Sequence, residues 1–191
     1  HFYDPIDYAE NARNLPLFHY VGDQDTFVIQ HDLMEKRLSE TSTPRKSVVA
    51  RGVGHRYEPG ALKTLVTELG AAVRPAQADN VDFVTYTLRW NTCRWVTITG
   101  QTTGWKRTAV KASLSADTIH VSTENVAALQ LHPEKSVTKI FIDGQTLSVS
   151  SKSRVISMKR QGAKWSFGQR SGLWKSPGVQ GPIEDALFGP V

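Results

Sequence analysis

Cysteine is nearly absent from this sequence: Cys93 is the only one in 191 residues. A lone thiol excludes an intrachain disulfide framework and any cysteine-based zinc site, and it is compatible with every redox compartment. Long hydrophobic runs are missing too. Every apolar stretch falls well short of the roughly 18 residues that a membrane-crossing helix needs, so no membrane partner is expected. The opening "HFYDPIDYAENARNLP" has no initiator Met, no basic n-region and no apolar h-region. It reads as part of a longer protein or as a processed product, and any targeting signal would lie upstream. An extracytoplasmic location is left open on that account. There is no repeat of solenoid period, no P-loop or dinucleotide fingerprint, and no RNA-binding signature. A nucleic-acid partner is therefore not expected.

The residues that are present fit a soluble globular chain, with 39% hydrophobic and 21% charged residues, of a length for one ordinary domain or two small ones. The net charge of +5 is uneven. Residues 1–80 hold 9 Lys+Arg against 11 Asp+Glu, and residues 81–191 hold 14 against 7. A basic, Trp-containing half suits an anionic glycan or nucleic acid. Its basic residues are scattered and form no run, which favours a plain solvated surface.

Residue patterning changes at the same place. "LPLFHYV" (15–21) is a short apolar strand, "GDQDT" a turn, and "FVIQHDLMEKRLSE" (27–40) an amphipathic helix with Val28, Leu33, Met34 and Leu38 on its stripe. "KSVVAR" (46–51) is a second strand, "GVGHRYEPG" a loop, and "ALKTLVTELGAAV" (61–73) a second helix with Leu62, Leu65, Val66 and Leu69 on one side. A β-α-β order implies parallel strands. Two strands are too few for a covered parallel sheet, so residues 1–74 are expected to be the closing part of a larger α/β domain, followed by a linker at 75–80.

From residue 81 the period becomes two. In "VDFVTYTLRW", Val84, Tyr86, Leu88 and Trp90 are expected on one face. Further short β-rich runs bring the expected total to about eight strands, with Gly turn signals in "IDGQTL" and "RQGAKW". Residues 81–191 are thus expected to form an antiparallel β-sandwich-like domain, and the whole chain to be α+β. Trp90, Trp95, Trp105, Trp165 and Trp174 all lie in this half. They are either core fillers or an exposed glycan-binding row.

In open α/β sheets the functional loops follow the carboxyl ends of strands. Asp23 and Asp25 follow the first strand, and His55 follows the second. A carboxylate at one strand end and a histidine at the next match the acid–base half of a Ser–His–Asp arrangement. A rival reading groups Asp23, Asp25, His31 and Asp32, with His19 nearby, as oxygen-rich ligands for Ca²⁺, although the spacing fits no EF-hand.

"PLFHYVGDQDTFV…HDLMEKRL…VVARGVGHRYEP" resembles the C-terminal third of an α/β-hydrolase of the prolyl-oligopeptidase-like serine hydrolase and esterase type. The resemblance covers about residues 3–73. It implies a partial α/β-hydrolase segment, with two parallel strands and their helices, in which Gly22 opens the turn, Val28 starts the helix, and Asp25 and His55 are the catalytic acid and histidine. Asp23 is then a turn-former. "SPGVQGPIEDALFGPV" (176–191) resembles a segment downstream of such domains in large bacterial proteins. The implied substrates are small esters, lactones or peptides, with no cofactor.

The departure is the nucleophile. The Gly-x-Ser-x-Gly elbow of these enzymes precedes the acid and the histidine in chain order, and these residues contain none; "GQRSG" (168–172) has the wrong spacing. The expectation is a fragment with two members of a triad, completed by an upstream hydrolase segment or another chain. The alternatives are a carbohydrate- or protein-binding β-domain protein and a metal-assisted lactonase or esterase. Self-association is a further expectation, because a two-strand remnant leaves apolar faces uncovered.

Overall fold

The structure, a computed structural model, describes residues 4–73, 78–150 and 154–172. Trp174, residues 176–191 and the first half of the expected linker, 75–77, lie outside the described residues. The chain divides into two compact units, His1–Gln77 and Ala78–Val191. Its class is mixed α and β.

The first unit opens with a 3-10 helix, Pro5–Asn14. Asp4 caps it by accepting from the Ile6 amide at 3.1 Å. Four elements follow: β1 (Phe18–Gly22), α1 (Val28–Glu40), β2 (Lys46–Ala50) and α2 (Pro59–Ala71). β1 and β2 pair in parallel, with His19 opposite Ser47 and Gly22 opposite Ala50.

Helix α1 is rotated from its expected stripe. His31 and Leu38, seven residues apart, are its buried residues, while Leu33 is exposed. An imidazole replaces the leucine in the packed face because both of its nitrogens find partners: Nε2 lies 3.1 Å from the Ser47 hydroxyl and Nδ1 lies 3.3 Å from Asp32. Helix α2 starts where the Glu58 carboxylate accepts from the Gly60 and Ala61 amides at 3.0 and 2.7 Å. None of its residues is buried, and Leu62, Val66 and Leu69 present their apolar face to solvent.

The second unit is sandwich-like, with ten strands among the described residues rather than about eight: β3 (Asn80–Thr85), β4 (Thr92–Cys93), β5 (Val96–Gln101), β6 (Thr108–Ser115), β7 (Thr118–Glu124), β8 (Val126–Leu131), β9 (Lys139–Ile142), β10 (Gln145–Ser148), β11 (Ile156–Gln161) and β12 (Lys164–Phe167). They form two five-stranded sheets, ordered β10-β9-β7-β6-β3 and β12-β11-β8-β5-β4. The expected all-antiparallel pairing is corrected at one place, since β7 and β9 run parallel. Between them the chain crosses to the other sheet as β8 and returns, so β9 enters in the direction of β7. Alternating side chains from both sheets, among them Phe83, Val110, Ile119, Ile140, Ile98, Leu129 and Met158, make the core.

Strand β3 also differs from expectation. It stops at Thr85, and Val81 and Phe83 join the core cluster; of the expected face, Val84 is buried and Leu88 joins the cluster from beyond the strand. Both phases of "VDFVTYTL" are apolar, so alternation alone does not choose between them. Hydroxyls end the strand: Thr85 Oγ1 donates to the Thr87 carbonyl at 2.8 Å, and Thr87 Oγ1 accepts from the Arg89 amide at 3.2 Å. The two expected hairpins form. Asp143 and Gly144 both have positive φ, 46° and 81°, the pairing that a two-residue hairpin turn demands. The tryptophans divide between roles: Trp165 is buried, Trp95 packs against the core, and Trp90 and Trp105 are 51% and 44% exposed.

Candidate functional site

The site grows from the two loops that leave β1 and β2. Beyond the last paired residues the parallel strands continue to hold each other. The Asp23 amide donates to the Ala50 carbonyl at 2.9 Å, and the Gln24 amide to the Val53 carbonyl at 3.0 Å. The Asp23 carboxylate accepts from the Gly52 and Val53 amides at 2.7 and 3.4 Å. Gly22 makes this approach feasible, because a Cβ there would stand 2.1 Å from the Val53 carbonyl oxygen.

This fastening fixes Asp25. Its amide donates to the Gly22 carbonyl at 3.1 Å, closing the turn. Its Oδ1 accepts from the Phe27 amide at 3.0 Å, an Asx-type contact that removes the freedom of the side chain. Oδ2 then faces the second loop and lies 2.9 Å from His55 Nδ1. An ionised carboxylate only accepts, so this nitrogen carries the proton and Nε2 carries the lone pair. The Phe27 amide, reinforced by the hydrogen bond and charge of His55, holds the Asp25 carboxyl below the usual range, against the opposing effect of burial. The Asp25 side chain is only 8% exposed, whereas that of His55 is 81% exposed. The Phe27 ring borders the imidazole, with centroids 5.5 Å apart.

Tyr20 was not singled out from the sequence, yet it steadies the far side of the histidine loop. Its hydroxyl donates to the Arg56 carbonyl at 3.0 Å and accepts from the Glu58 amide at 2.9 Å. The signal was its place on β1, two residues before Gly22. The contacts it makes 36 and 38 residues away could not be read from a one-dimensional pattern.

The structure therefore brings Asp25 and His55 together and gives Asp23 a different task. The oxygen-ligand group expected around Asp23, Asp25, His31 and Asp32 does not assemble. Asp23 is engaged by backbone amides, Asp25 by Phe27 and His55, and His31 points to Ser47 from α1. Among the described residues, the one grouping with metal-ligand geometry is His19, His31 and Glu35. Glu35 was not among the candidates.

Comparison with known protein families, with curated proteins and with solved structures returned no match.

Proposed function

We propose that the first unit carries the acid and base of a serine hydrolase acting on an ester, lactone or peptide bond, as the C-terminal part of an α/β-hydrolase. The observation that carries this reading is the 2.9 Å contact between His55 Nδ1 and Asp25 Oδ2, formed by loops at the carboxyl ends of adjacent parallel strands. With Nδ1 held by the carboxylate, Nε2 is the nitrogen that accepts the Oγ proton of a serine as that oxygen attacks the substrate carbonyl. The resulting imidazolium is stabilised by Asp25 and returns the proton to the leaving group. The serine and the oxyanion-stabilising amides are supplied by a segment outside these 191 residues.

The test pairs this chain with an upstream serine-bearing segment and follows hydrolysis of a generic ester. Activity that disappears in His55→Ala supports the assignment. An unchanged rate in that variant overturns it.

A second reading rests on the exposure of Trp90 and Trp105 in the sandwich unit. Indoles that are about half exposed suit contact with sugar rings, so this unit would bind a glycan without catalysis. Glycan pull-down that is lost in Trp90→Ala and Trp105→Ala supports it, and retention in both removes it.

A further inference from the structure

We propose that His19, His31 and Glu35 form a binding site for a divalent transition metal of the zinc class, joining strand β1 to helix α1. The three donors come from two elements. His31 and Glu35 are one helical turn apart on α1, and His19 stands on β1. One ligand atom from each lies within 4.8 Å of the others. Around a tetrahedral zinc with bonds near 2.0 Å, neighbouring donors are about 3.3 Å apart. The gap to close is small, and two of the three side chains have room to close it: His19 and Glu35 are 23% and 22% exposed.

The surroundings orient the donors. His31 is the fixed ligand, buried and with Nδ1 facing the Asp32 carboxylate at 3.3 Å, the outer-sphere contact typical of metal-bound histidine. That leaves Nε2 as the ligating atom, now held by the Ser47 hydroxyl at 3.1 Å. Arg45 Nε donates to Glu35 Oε2 at 2.9 Å, which turns Oε1 toward His19 Nδ1 at 3.0 Å. The two imidazoles stack with centroids 4.1 Å apart, which keeps the rings of both ligands side by side. Burial raises the Glu35 carboxyl, but hydrogen bonds from His19, Arg45 and Ser47 outweigh it and hold the group below its usual range.

On binding, the ion takes the place of the proton between His19 Nδ1 and Glu35 Oε1, and His19 carries its proton on Nε2 instead. Two imidazoles and one carboxylate favour zinc-class ions over Ca²⁺ or Mg²⁺, which prefer all-oxygen shells. The site is separate from the Asp25–His55 pair and does not depend on the hydrolase reading.

The experiment uses the full chain stripped with EDTA. Zn²⁺ is titrated in competition with a chromogenic chelator, and Co²⁺ is added separately to report ligand geometry by its visible absorption. The expected result is one ion per chain, weakened at least about tenfold in His19→Gln and in Glu35→Gln, both with native far-UV circular dichroism, and unchanged in His55→Ala and His120→Ala. The proposal is overturned by absence of stoichiometric Zn²⁺ binding, by binding that survives both site variants, or by binding that is lost with His55→Ala.

Discussion

His55 Nδ1 and Asp25 Oδ2 lie 2.9 Å apart across thirty residues of chain. The carboxylate is anchored by a backbone amide and is nearly buried, while the imidazole it holds reaches into solvent. This relationship fixes a tautomer, and the tautomer is measurable. In ¹⁵N–¹H correlation spectra, His55 should carry its proton on Nδ1 at neutral pH. Asp25→Asn replaces the accepting carboxylate with an amide and should shift the population toward Nε2–H, the form that cannot accept a proton at Nε2. Identical spectra from the two proteins would remove the orienting role of Asp25.

Gly22 is the position where a methyl group is least tolerable. Its added Cβ would overlap the backbone of Val53, which no side-chain rotation relieves. Gly22→Ala should destabilise the first unit by at least about 2 kcal/mol and broaden the His55 resonance as the loops separate. Thermal unfolding followed by helical circular dichroism checks the first effect, and the spectrum of His55 the second.

Tyr20→Phe removes one hydroxyl and with it two hydrogen bonds to the histidine loop. The expected loss is about 1 kcal/mol for each. Faster hydrogen exchange should appear at the Glu58 amide, which would lose its partner. Unchanged exchange there would show that the loop is held by other contacts.

Acid should weaken the first unit in a defined window. Asp25 and Glu58 both have carboxyls held below their ordinary values of 3.8 and 4.5, the first by the Phe27 amide and then His55, the second by the Gly60 and Ala61 amides. The unfolded chain therefore binds more protons than the folded one as pH falls. Their contribution is complete above those ordinary values and is lost as pH drops through the lower folded ones. Unfolding midpoints measured from pH 7 to pH 2 should fall steeply only below about 4.5. Asp25→Asn and Glu58→Gln should each flatten that limb.

In the second unit, Asp143 accepts from the Thr123 amide at 2.8 Å and from the Trp165 indole at 2.9 Å, linking strands of opposite sheets through one hairpin turn. Asp143→Ala strands the indole N–H in the core, a change that costs about 1–3 kcal/mol. Asp143→Asn keeps an acceptor and should recover most of the loss in a denaturant titration.

The parts that could be read from the sequence were those governed by local rules. Gly22, Asp25 and His55 sit where strand ends and turn chemistry place them, and the Asp143–Gly144 hairpin follows from the backbone preferences of its two residues. What escaped depends on packing across long separations. The face of α1 was misassigned because Leu33 outranks His31 in hydrophobicity, and only Ser47 and Asp32 explain why the histidine goes inside. Glu35 meets His19 only because β1 sets the imidazole against α1, sixteen residues away in sequence. In "VDFVTYTL" apolar residues fall in both alternations, and two threonine hydroxyls decide where β3 ends. The parallel β7–β9 pair arises from a crossover between sheets, which no run of residues announces.

All five tryptophans belong to residues 90–174, so none of the protein's tryptophan emission originates in the strands and loops that hold Asp25 and His55. Phe27, 5.5 Å from the imidazole and itself solvent-exposed, is the natural place for an optical probe. An indole in its position would be quenched when His55 takes up a proton, turning a silent site into one whose ionisation can be followed by fluorescence lifetime.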